Sequence, residues 1–320
     1  MMISRASVLV VTSDDDYGTD LVIQALDGTP VVRLNPGTGV HVDAELAAGQ
    51  WRGTVGDGRR HVDIDTIVSV FWRWPDPPAG DPSIADEAAR RWAAREDYHA
   101  LYGLLRGLPV RWVNHPGRAQ AAEDKPRQLA IAHQCGLVTP ATLITTRGAA
   151  VRRWLVDRPL IYKAFRADGA DEDCMVTAGS LDRSAVPDRL LAAHTVQERV
   201  DGVPVRLTVV GDELFAVRIT GTDLLDWRPV QGGLAYAPTE VPPPIRRSVL
   251  TYMRAFDLLY GAFDFIDPGD GPWVFLECNP TGQWGFVDRR TNLPITGALA
   301  GLLRTPLPQC SGSLMRRLAK

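Results

Sequence analysis

Short apolar runs separated by turn residues dominate the first third of the chain, a pattern typical of buried strands in a small α/β unit. Two helices are predicted between these runs, one near 18–26, capped by the aspartates before it, and a long amphipathic one at 84–105. The segment 40–65 alternates polar and apolar residues between glycines, which predicts a hairpin. The predicted buried strands of this unit are 7–12, 30–34, 67–72 and 110–113.

The turn residues Asn114–Gly117 mark a predicted domain boundary. After it the sequence predicts helices mixed with strands, and from residue 196 onward mostly antiparallel strands. We predict an α/β domain at 1–115, a central lobe at 116–195 with a lid loop at 166–173, and a C-terminal lobe at 196–320. The two later lobes are predicted to be α+β, because helices and antiparallel strands are mixed in them. The strands predicted for the last lobe are 196–200, 205–210, 214–220, 261–266 and 273–278, with a helix at 243–259.

Composition narrows the class of protein without identifying it. Hydrophobic residues make up 45% of the chain and charged residues 23%, and the net charge of -3 gives no basis for binding nucleic acid or anionic membranes. The apolar run 8–11 is too short for a signal peptide or a membrane span, so a cytoplasmic location is expected. The four cysteines lie far apart, which argues against a disulfide scaffold or a zinc site.

Two apolar strands near the C-terminus carry the strongest candidate chemistry, Asp264 on one and Glu277 with Asn279 on the other. Because side chains alternate along a strand, Glu277 and Asn279 share a face. A hairpin that places Ile266 opposite Trp273 puts Asp264 on that face too. Three oxygen ligands are therefore predicted to converge in one metal site.

Burying carboxylates without a positive partner is costly, which favours a cation at this place. Oxygen ligands suit Mg²⁺, which accepts one or two carboxylates and takes its other ligands from phosphates and water. The alternative to a metal site is a solvated acidic face on an edge hairpin, and the two interpretations both stay open at this point.

Basic residues upstream are candidates for binding a phosphate at the same site. Lys163 lies inside an apolar strand, an unusual place for a lysine without a partner, and Lys125 opens a helix whose first backbone amides are free. Arg206 and Arg218 lie on two strands joined near Gly211. A two-residue turn places these arginines on opposite faces and a three-residue connection places them on one face, which a shared function requires. For each basic residue taken alone, a surface ion pair is an equal alternative.

These features, in this order, resemble the ATP-grasp superfamily over residues 115–305, in which two α+β lobes clasp ATP. The resemblance implies that Lys125 and Lys163 bind phosphates. It also implies an adenine pocket lined by Gln197, Glu198 and Val200, a ribose contact from Asp201, and Mg²⁺ bound by Asp264, Glu277 and Asn279.

A closer resemblance, running nearly end to end, is to the maturases of ribosomal peptides that make graspetides, the microviridin-type macrocyclases. It implies a precursor peptide with leader and core segments as the substrate, ATP and Mg²⁺ as cofactors, and homodimerisation, which is common in that family. The most discriminating stretches are Asp226–Arg228 and the tail Asn279–Gln283. The other matching stretches are Phe71–Pro75, Trp112–Pro116, Asp124–Leu129, Val196–Val200, Arg206–Gly211 and Glu277–Trp284.

The chain departs from that family's pattern in two places. The family more often has a second arginine where this chain has Trp74. The loop 166–173 lacks the glycine-rich run common in ATP-grasp enzymes; it faces a basic stretch of the peptide or is solvated, and both alternatives stay open. Its acidic residues are Asp168, Asp171, Glu172 and Asp173.

The implied mechanism activates an Asp or Glu side chain of the peptide as an acyl phosphate. A Thr or Ser hydroxyl or a Lys amine of the same peptide then attacks, closing an ester or amide ring. Lys163 and Arg218 are predicted to follow the moving charge, and Arg206 and Arg228 to hold the acceptor carboxylate or the oxyanion. The predicted catalytic residues are Arg206, Arg218 and Arg228, and the predicted substrate contacts are Arg73, Asp226 and Arg228.

Two other functions stay open at this point. An enzyme of the same fold that joins free glutamate or a similar amino acid to a peptide would need the same metal site. A non-catalytic module that binds nucleotide to regulate an assembly is the third interpretation, and the complete metal set and basic residues argue against it.

Overall fold

A computed structural model of the protein describes residues 7–154, 156–165, 178–221 and 233–307. The predicted lid loop at 166–173 lies outside the described residues, as do two of the predicted site residues, Asp226 and Arg228. Strands in the described ranges form four sheets, two in the first third of the chain and one in each later lobe.

The first third forms an α/β unit, as its apolar runs predict. Its elements are β1 (Ser7–Val11), α1 (Tyr17–Ala25), β2 (Val31–Leu34), β3 (His41–Ala47), β4 (Gln50–Gly56), β5 (His61–Asp63), β6 (Ile67–Trp72), α2 (Glu87–Arg106) and β7 (Arg111–Val113). A parallel sheet has the order β2-β1-β6-β7, and the predicted hairpin region is a separate antiparallel sheet, β3-β4-β5. The predicted strands and both helices are confirmed here to within a few residues.

The middle of the chain forms short helices and a four-stranded sheet in the order β10-β9-β11-β8, with antiparallel pairing throughout. The predicted lobe boundary between 195 and 196 is wrong, because β11 runs through it and pairs with β8 and β9 up to its end. The elements are α3 (Pro116–Glu123), α4 (Lys125–Gln134), β8 (Thr142–Arg147), α5 (Gly148–Arg153), β9 (Leu160–Lys163), β10 (Gly179–Ser180) and β11 (Arg189–Glu198).

The last part of the chain forms a five-stranded antiparallel sheet in the order β14-β13-β12-β15-β16. Helices α3 and α4 pack against β16 and α6 of this part, although they precede the central sheet in sequence. The elements are β12 (Val203–Val210), β13 (Glu213–Thr220), β14 (Ala235–Thr239), α6 (Pro243–Phe256), β15 (Tyr260–Asp267), β16 (Val274–Asn279), α7 (Gly285–Thr291) and α8 (Ile295–Arg304).

The two faces of this last sheet are buried against different parts of the protein. One face packs with α6, where Phe263 and Phe265 lie in a cluster with Tyr252. The other face shares a hydrophobic core with the N-terminal lobe, in which Phe71 of β6 contacts Trp284. The first and last lobes are therefore joined through a common core, whereas the central sheet has a small core of its own. Among the described helices, none has the length and apolar character needed to cross a membrane.

A buried ion pair ties α1 to the residue that follows β6. Asp16, the N-cap residue of α1, accepts a hydrogen bond from Nε of Arg73 at 2.8 Å, and both side chains are only 2% exposed. The Thr19 hydroxyl donates to the same carboxylate. Burial alone would raise the pKa of Asp16, but the charge of Arg73 and the hydrogen bonds from Thr19 and Arg73 together hold this pKa below its ordinary value.

Replacing Asp16 with asparagine tests the charge of this pair, because asparagine caps helices about as well as aspartate. We expect Asp16→Asn to lower the free energy of unfolding by about 3 kcal/mol at neutral pH, since it leaves Arg73 buried without a counter-ion. The pKa of Asp16 is lower in the folded state, so its stabilisation is present above the unfolded pKa of about 3.9 and is lost as pH falls through the folded value. Urea unfolding of both proteins at a series of pH values measures the difference.

The matched control is Asp15→Asn, because Asp15 is the exposed neighbour in the same loop. We expect this control to unfold like the wild type. A stability gap between wild type and Asp16→Asn that stays constant as the solution is acidified would contradict the charge-based explanation.

Candidate functional site

The β15–β16 hairpin does not have the predicted register. The prediction places Ile266 opposite Trp273, whereas the structure pairs Ile266 with Val274. The register then shifts by one residue along the hairpin, and Asp264 pairs directly with Glu277. Leu276 is the extra residue of this β-bulge.

The bulge decides whether the site exists. Without it, Asp264 would lie opposite Leu276 and on the face away from Glu277, because a one-residue slip moves a side chain to the other face. With it, Asp264 and Glu277 face each other, and Asn279 lies two residues further along the same face. The predicted common face is therefore confirmed, through a different register.

This face opens into a cleft of about 630 Å³ between the N-terminal and C-terminal lobes. A second cavity of about 530 Å³ lies on the other side of the same residues, next to Lys125 and Phe165. Three side chains line both spaces and therefore mark the junction between them: Trp74, Glu277 and Asn279. The wall of the first cleft opposite the sheet includes the end of the loop before α1, the first two residues of α1, and Arg289 of α7.

Arg206 of β12 lies on the floor of the first cleft. Its Nη1 donates to Oδ1 of Asp264 at 3.0 Å and its Nη2 donates to the carbonyl oxygen of Gln283 at 3.1 Å. Both charged residues of the pair are largely buried, at 6% and 7% exposure. Arg206 therefore compensates one of the two carboxylates and leaves Glu277 as the more accessible acid.

Arg218 does not join Arg206. Val210 pairs with Glu213, so the connection is a two-residue turn, and Arg206 lies opposite Val217. Arg218 consequently points to the other face of the sheet, where it forms an ion pair with Asp267. The prediction that Arg218 shares the catalytic face is wrong, because the shorter of the two possible turns occurs.

Of the two lysines predicted to bind phosphates, Lys125 lines the second cavity. Lys125, the first residue of α4, places Nζ 3.5 Å from Oε2 of Glu277 and donates to the carbonyl oxygen of Ala164 at 3.1 Å. Lys163 is the last residue of β9, directly before Ala164. Lys125 therefore contacts the carboxylate face through Glu277, and Lys163 is the sequence neighbour of the residue whose carbonyl Lys125 binds. The predicted phosphate contacts of both lysines remain predictions.

The predicted nucleotide-base residues lie at the end of β11 and just beyond it. Gln197 is buried and donates from Nε2 to Thr142 at 3.0 Å; its Oε1 has no protein partner among the described residues. Glu198 forms an ion pair with Arg158. Val200 is half-buried and Asp201 accepts a hydrogen bond from Arg199 at 2.8 Å. Contacts of these residues with adenine and ribose remain predictions.

Arg73 lies beneath the cleft and is only 1% exposed. Besides Asp16, it donates from Nη1 to the carbonyl oxygens of Thr281 at 2.9 Å and Gly282 at 3.3 Å. Arg73 is thus buried and bonded to the protein, and its predicted contact with the substrate remains a prediction. It braces the segment that follows β16.

Two further buried side chains brace the same segment, and sequence reasoning assigned them no role. Gln128 of α4 accepts from Cys278 N at 2.9 Å and donates to the Cys278 carbonyl at 2.8 Å. Asn114 donates to the carbonyls of Tyr260 at 2.8 Å and Pro280 at 2.7 Å. Both residues lie in stretches that carry the family resemblance, which was the available signal for their importance.

The donor set fits a hard divalent cation. It consists of two carboxylates and one carboxamide oxygen on a single face, and Mg²⁺ accepts such a set while taking further ligands from phosphates and water. The described residues contain no cluster of three or more His, Cys, Asp or Glu side chains that could hold a metal alone, so the amide of Asn279 and outside ligands are needed. Burial raises the pKa of the Cys278 thiol, which stays protonated and is therefore a poor metal ligand or nucleophile.

No protein-family model matches the sequence, and no curated protein matches it. Among solved structures, the macrocyclase MdnC of Microcystis aeruginosa MRC, bound with the precursor peptide MdnA, is 25% identical with a TM-score of 0.80, over 93% of this chain and 99% of that chain. A RiPP-associated ATP-grasp ligase of Chryseobacterium gregarium, in complex with ADP and a leader and core peptide, is 22% identical with a TM-score of 0.83, over 94% and 97%. The ATP-grasp ligase PsnB, complexed with minimal precursor, Mg and ADP, is 25% identical with a TM-score of 0.72, over 95% and 98%.

These similarities extend over nearly the whole of this chain and include its first lobe. They confirm the predicted fold class and the predicted resemblance to ATP-grasp maturases of ribosomal peptides. The chain therefore has the ATP-grasp fold, in the arrangement shared by solved ATP-grasp ligases of ribosomal peptides.

Proposed function

We propose that the protein is an ADP-forming ligase that activates Asp or Glu side chains of a ribosomal precursor peptide and closes side-chain ester or amide rings within that peptide. One observation carries the proposal. Asp264, Glu277 and Asn279 share a face that opens into a cleft between two lobes, with Arg206 and Lys125 as its cations. In this proposal the shared face binds a metal-bound polyphosphate beside the site of the acceptor carboxylate.

ATP and Mg²⁺ are the proposed cofactors. One similar protein of this fold, PsnB, has been solved with ADP and Mg, and the oxygen-rich face of this chain suits the same pair. Mg²⁺ held by Asp264, Glu277 and Asn279 would neutralise the triphosphate. Lys125 is the candidate to contact the phosphates first, because its Nζ is 3.5 Å from Glu277 and its side chain is one-third exposed.

A peptide is the proposed substrate, because the first cleft has a volume of about 630 Å³ and its walls come from two lobes. Similar proteins have been solved with precursor peptides, and a leader-plus-core peptide is the corresponding proposal for this chain. The cleft exposes acidic and basic groups, Asp15 and Arg289, on the side opposite the sheet. A peptide side chain entering between them reaches Glu277 and Arg206 at the floor.

In the proposed reaction, an oxygen of the acceptor carboxylate attacks the terminal phosphorus of ATP, and ADP leaves. A hydroxyl or amine of the same peptide then attacks the acyl carbon, loses its proton, and phosphate leaves. Arg206 supplies a fixed positive charge beneath the reacting groups, where preorganised charge is most effective. Arg228, whose position lies outside the described residues, remains a candidate for the same task, and Asp226 for substrate contact.

Ring closure is proposed over addition of a free amino acid because its nucleophile belongs to the peptide that is already bound. The first cleft and the second cavity meet at Trp74, Glu277 and Asn279, which leaves room for two segments of one peptide beside the activated group. Such proximity raises the effective concentration of a hydroxyl far above what free solution allows. The intermolecular ligase remains the second candidate.

The whole proposal is tested by incubating the protein with Mg-ATP and the product of a neighbouring small gene that encodes a leader and a core rich in Thr or Ser and Asp or Glu. Mass spectrometry should show the loss of one water per ring, with one ADP released for each. A mass gain equal to an added residue would favour the intermolecular ligase. Absence of peptide-dependent ADP release would favour a non-catalytic module.

Glu277→Gln should abolish ATP consumption and ring formation while leaving the fold intact, because it keeps the size of the side chain and one acceptor oxygen but removes the charge proposed to bind the metal. Coupled ADP release and peptide mass measure the effect, and thermal unfolding checks the fold. Asp270→Asn, at the exposed turn of the same hairpin, is the matched control and should be fully active. Full activity of Glu277→Gln would refute the metal assignment.

Arg206→Met and Arg218→Met separate catalysis from stability. Each substitution removes the ion-pair partner of a buried aspartate, so both variants should lose unfolding free energy. The loss should be about 3 kcal/mol for Arg206→Met and smaller for Arg218→Met, because the Arg218 side chain is 39% exposed and solvent screens its pair. Only Arg206 lies on the cleft face, so Arg206→Met alone should lower kcat, by about 100-fold. Steady-state ADP release below the unfolding temperature of both variants measures this difference; equal losses of kcat would contradict the assignment.

A further inference from the structure

Trp74 has an unusual backbone and an exposed side chain. Its φ of 23° lies in the left-handed region, which is rare for a residue with a large side chain and costs about 1–3 kcal/mol unless its surroundings compensate. Its side chain is 43% exposed and lines both cavities. A strained, half-exposed tryptophan at the junction of two clefts needs an explanation other than core packing.

Two contacts hold the indole in place. The guanidinium of Arg73 lies 4.2 Å from the ring centroid, and Nε1 of Trp74 donates a hydrogen bond to Oγ1 of Thr281 at 3.1 Å. Arg73 also binds the carbonyl of Thr281. The dipeptide Arg73–Trp74 thus contacts both the backbone and the side chain of Thr281.

Thr281 in turn orients Asn279. Its backbone N–H donates to Oδ1 of Asn279 at 2.9 Å, and its hydroxyl contacts the same oxygen at 3.2 Å. The bond from the backbone amide fixes which way the carboxamide points. The longer hydroxyl contact is the one that a cation on Oδ1 would replace, and the hydroxyl would still accept from Trp74.

We propose that Trp74 is a positioning residue for the metal site, holding Thr281 so that Asn279 presents its carboxamide oxygen to a divalent cation. The inference deepens the proposed function and rests on it for the presence of a cation. The series of donors runs from the N-terminal lobe through Trp74 and Thr281 to Asn279. The strain at Trp74 is compensated by these bonds and by stacking on Arg73.

The proposed positioning role depends on the indole N–H of Trp74, which donates to Thr281. Phenylalanine at position 74 keeps an aromatic ring over Arg73 but cannot donate to Thr281. Valine at position 281 likewise removes the hydroxyl and keeps the shape, while serine restores it. If Trp74 only lines the cleft, phenylalanine can replace it. If Trp74 positions Thr281 through its indole N–H, phenylalanine cannot.

The test measures binding of ADP by calorimetry at a series of Mg²⁺ concentrations, which requires no turnover. For Trp74→Phe and Thr281→Val, we expect the Mg²⁺ concentration that gives half of the full gain in ADP affinity to rise about 10-fold, as for other residues that orient a metal ligand. ADP affinity without Mg²⁺ should not change, and Thr281→Ser should behave like the wild type. Trp92→Phe, an exposed tryptophan of α2 in the same lobe, is the matched control.

An unchanged Mg²⁺ dependence in folded Trp74→Phe would overturn the inference and leave the proposed function standing. A shifted Mg²⁺ dependence in a protein that forms no peptide ring would support the inference and overturn the ring-forming function. If the wild-type protein binds ADP with no response to Mg²⁺, or does not bind it, both proposals fail together.

Discussion

The candidate site depends on the bracing of one short segment, residues 278–282, that leaves the edge of the C-terminal sheet. Three buried polar side chains from separate parts of the chain hold its backbone: Gln128 binds both polar groups of Cys278, Asn114 binds the carbonyl of Pro280, and Arg73 binds that of Thr281. A buried backbone group left without a partner costs about 1–3 kcal/mol. The positions of the side chains on either side of Cys278, Glu277 and Asn279, are therefore fixed by hydrogen bonds from distant helices and strands.

Charge at the site is balanced by two pairs of different character. Asp264 and Arg206 are both largely buried and closely bonded, so this pair has little freedom to rearrange. Glu277 and Lys125 are 3.5 Å apart and partly exposed, so solvent screens their attraction. The second pair can therefore separate at low cost, whereas the first pair holds Arg206 and Asp264 in place on the cleft floor.

The sequence predicts most strands and helices because their apolar patterns are regular, and it predicts the common face of the three oxygen ligands because side chains alternate along a strand. The register of the β15–β16 hairpin could not be predicted, because it depends on a bulge at Leu276 that no residue type near that position indicates. Contacts between segments that are distant in the chain could not be predicted from the sequence either. Gln128 and Asn114 bind backbone groups 150 and 166 residues away, and Asp16 becomes the counter-ion of Arg73 only once α1 lies beside β6. Motif resemblance therefore locates these side chains without revealing their contacts.

The shared core of the first and last lobes has a consequence for how the cleft is built. Phe71 and Trp284 pack against each other, so the wall that carries Trp74 and the floor that carries Asn279 belong to one body. The central sheet has its own small core and meets this body near Lys125, whose ammonium binds the carbonyl of the residue after β9. The wall and the floor of the first cleft therefore share one hydrophobic core, and the core of the central sheet is separate from it.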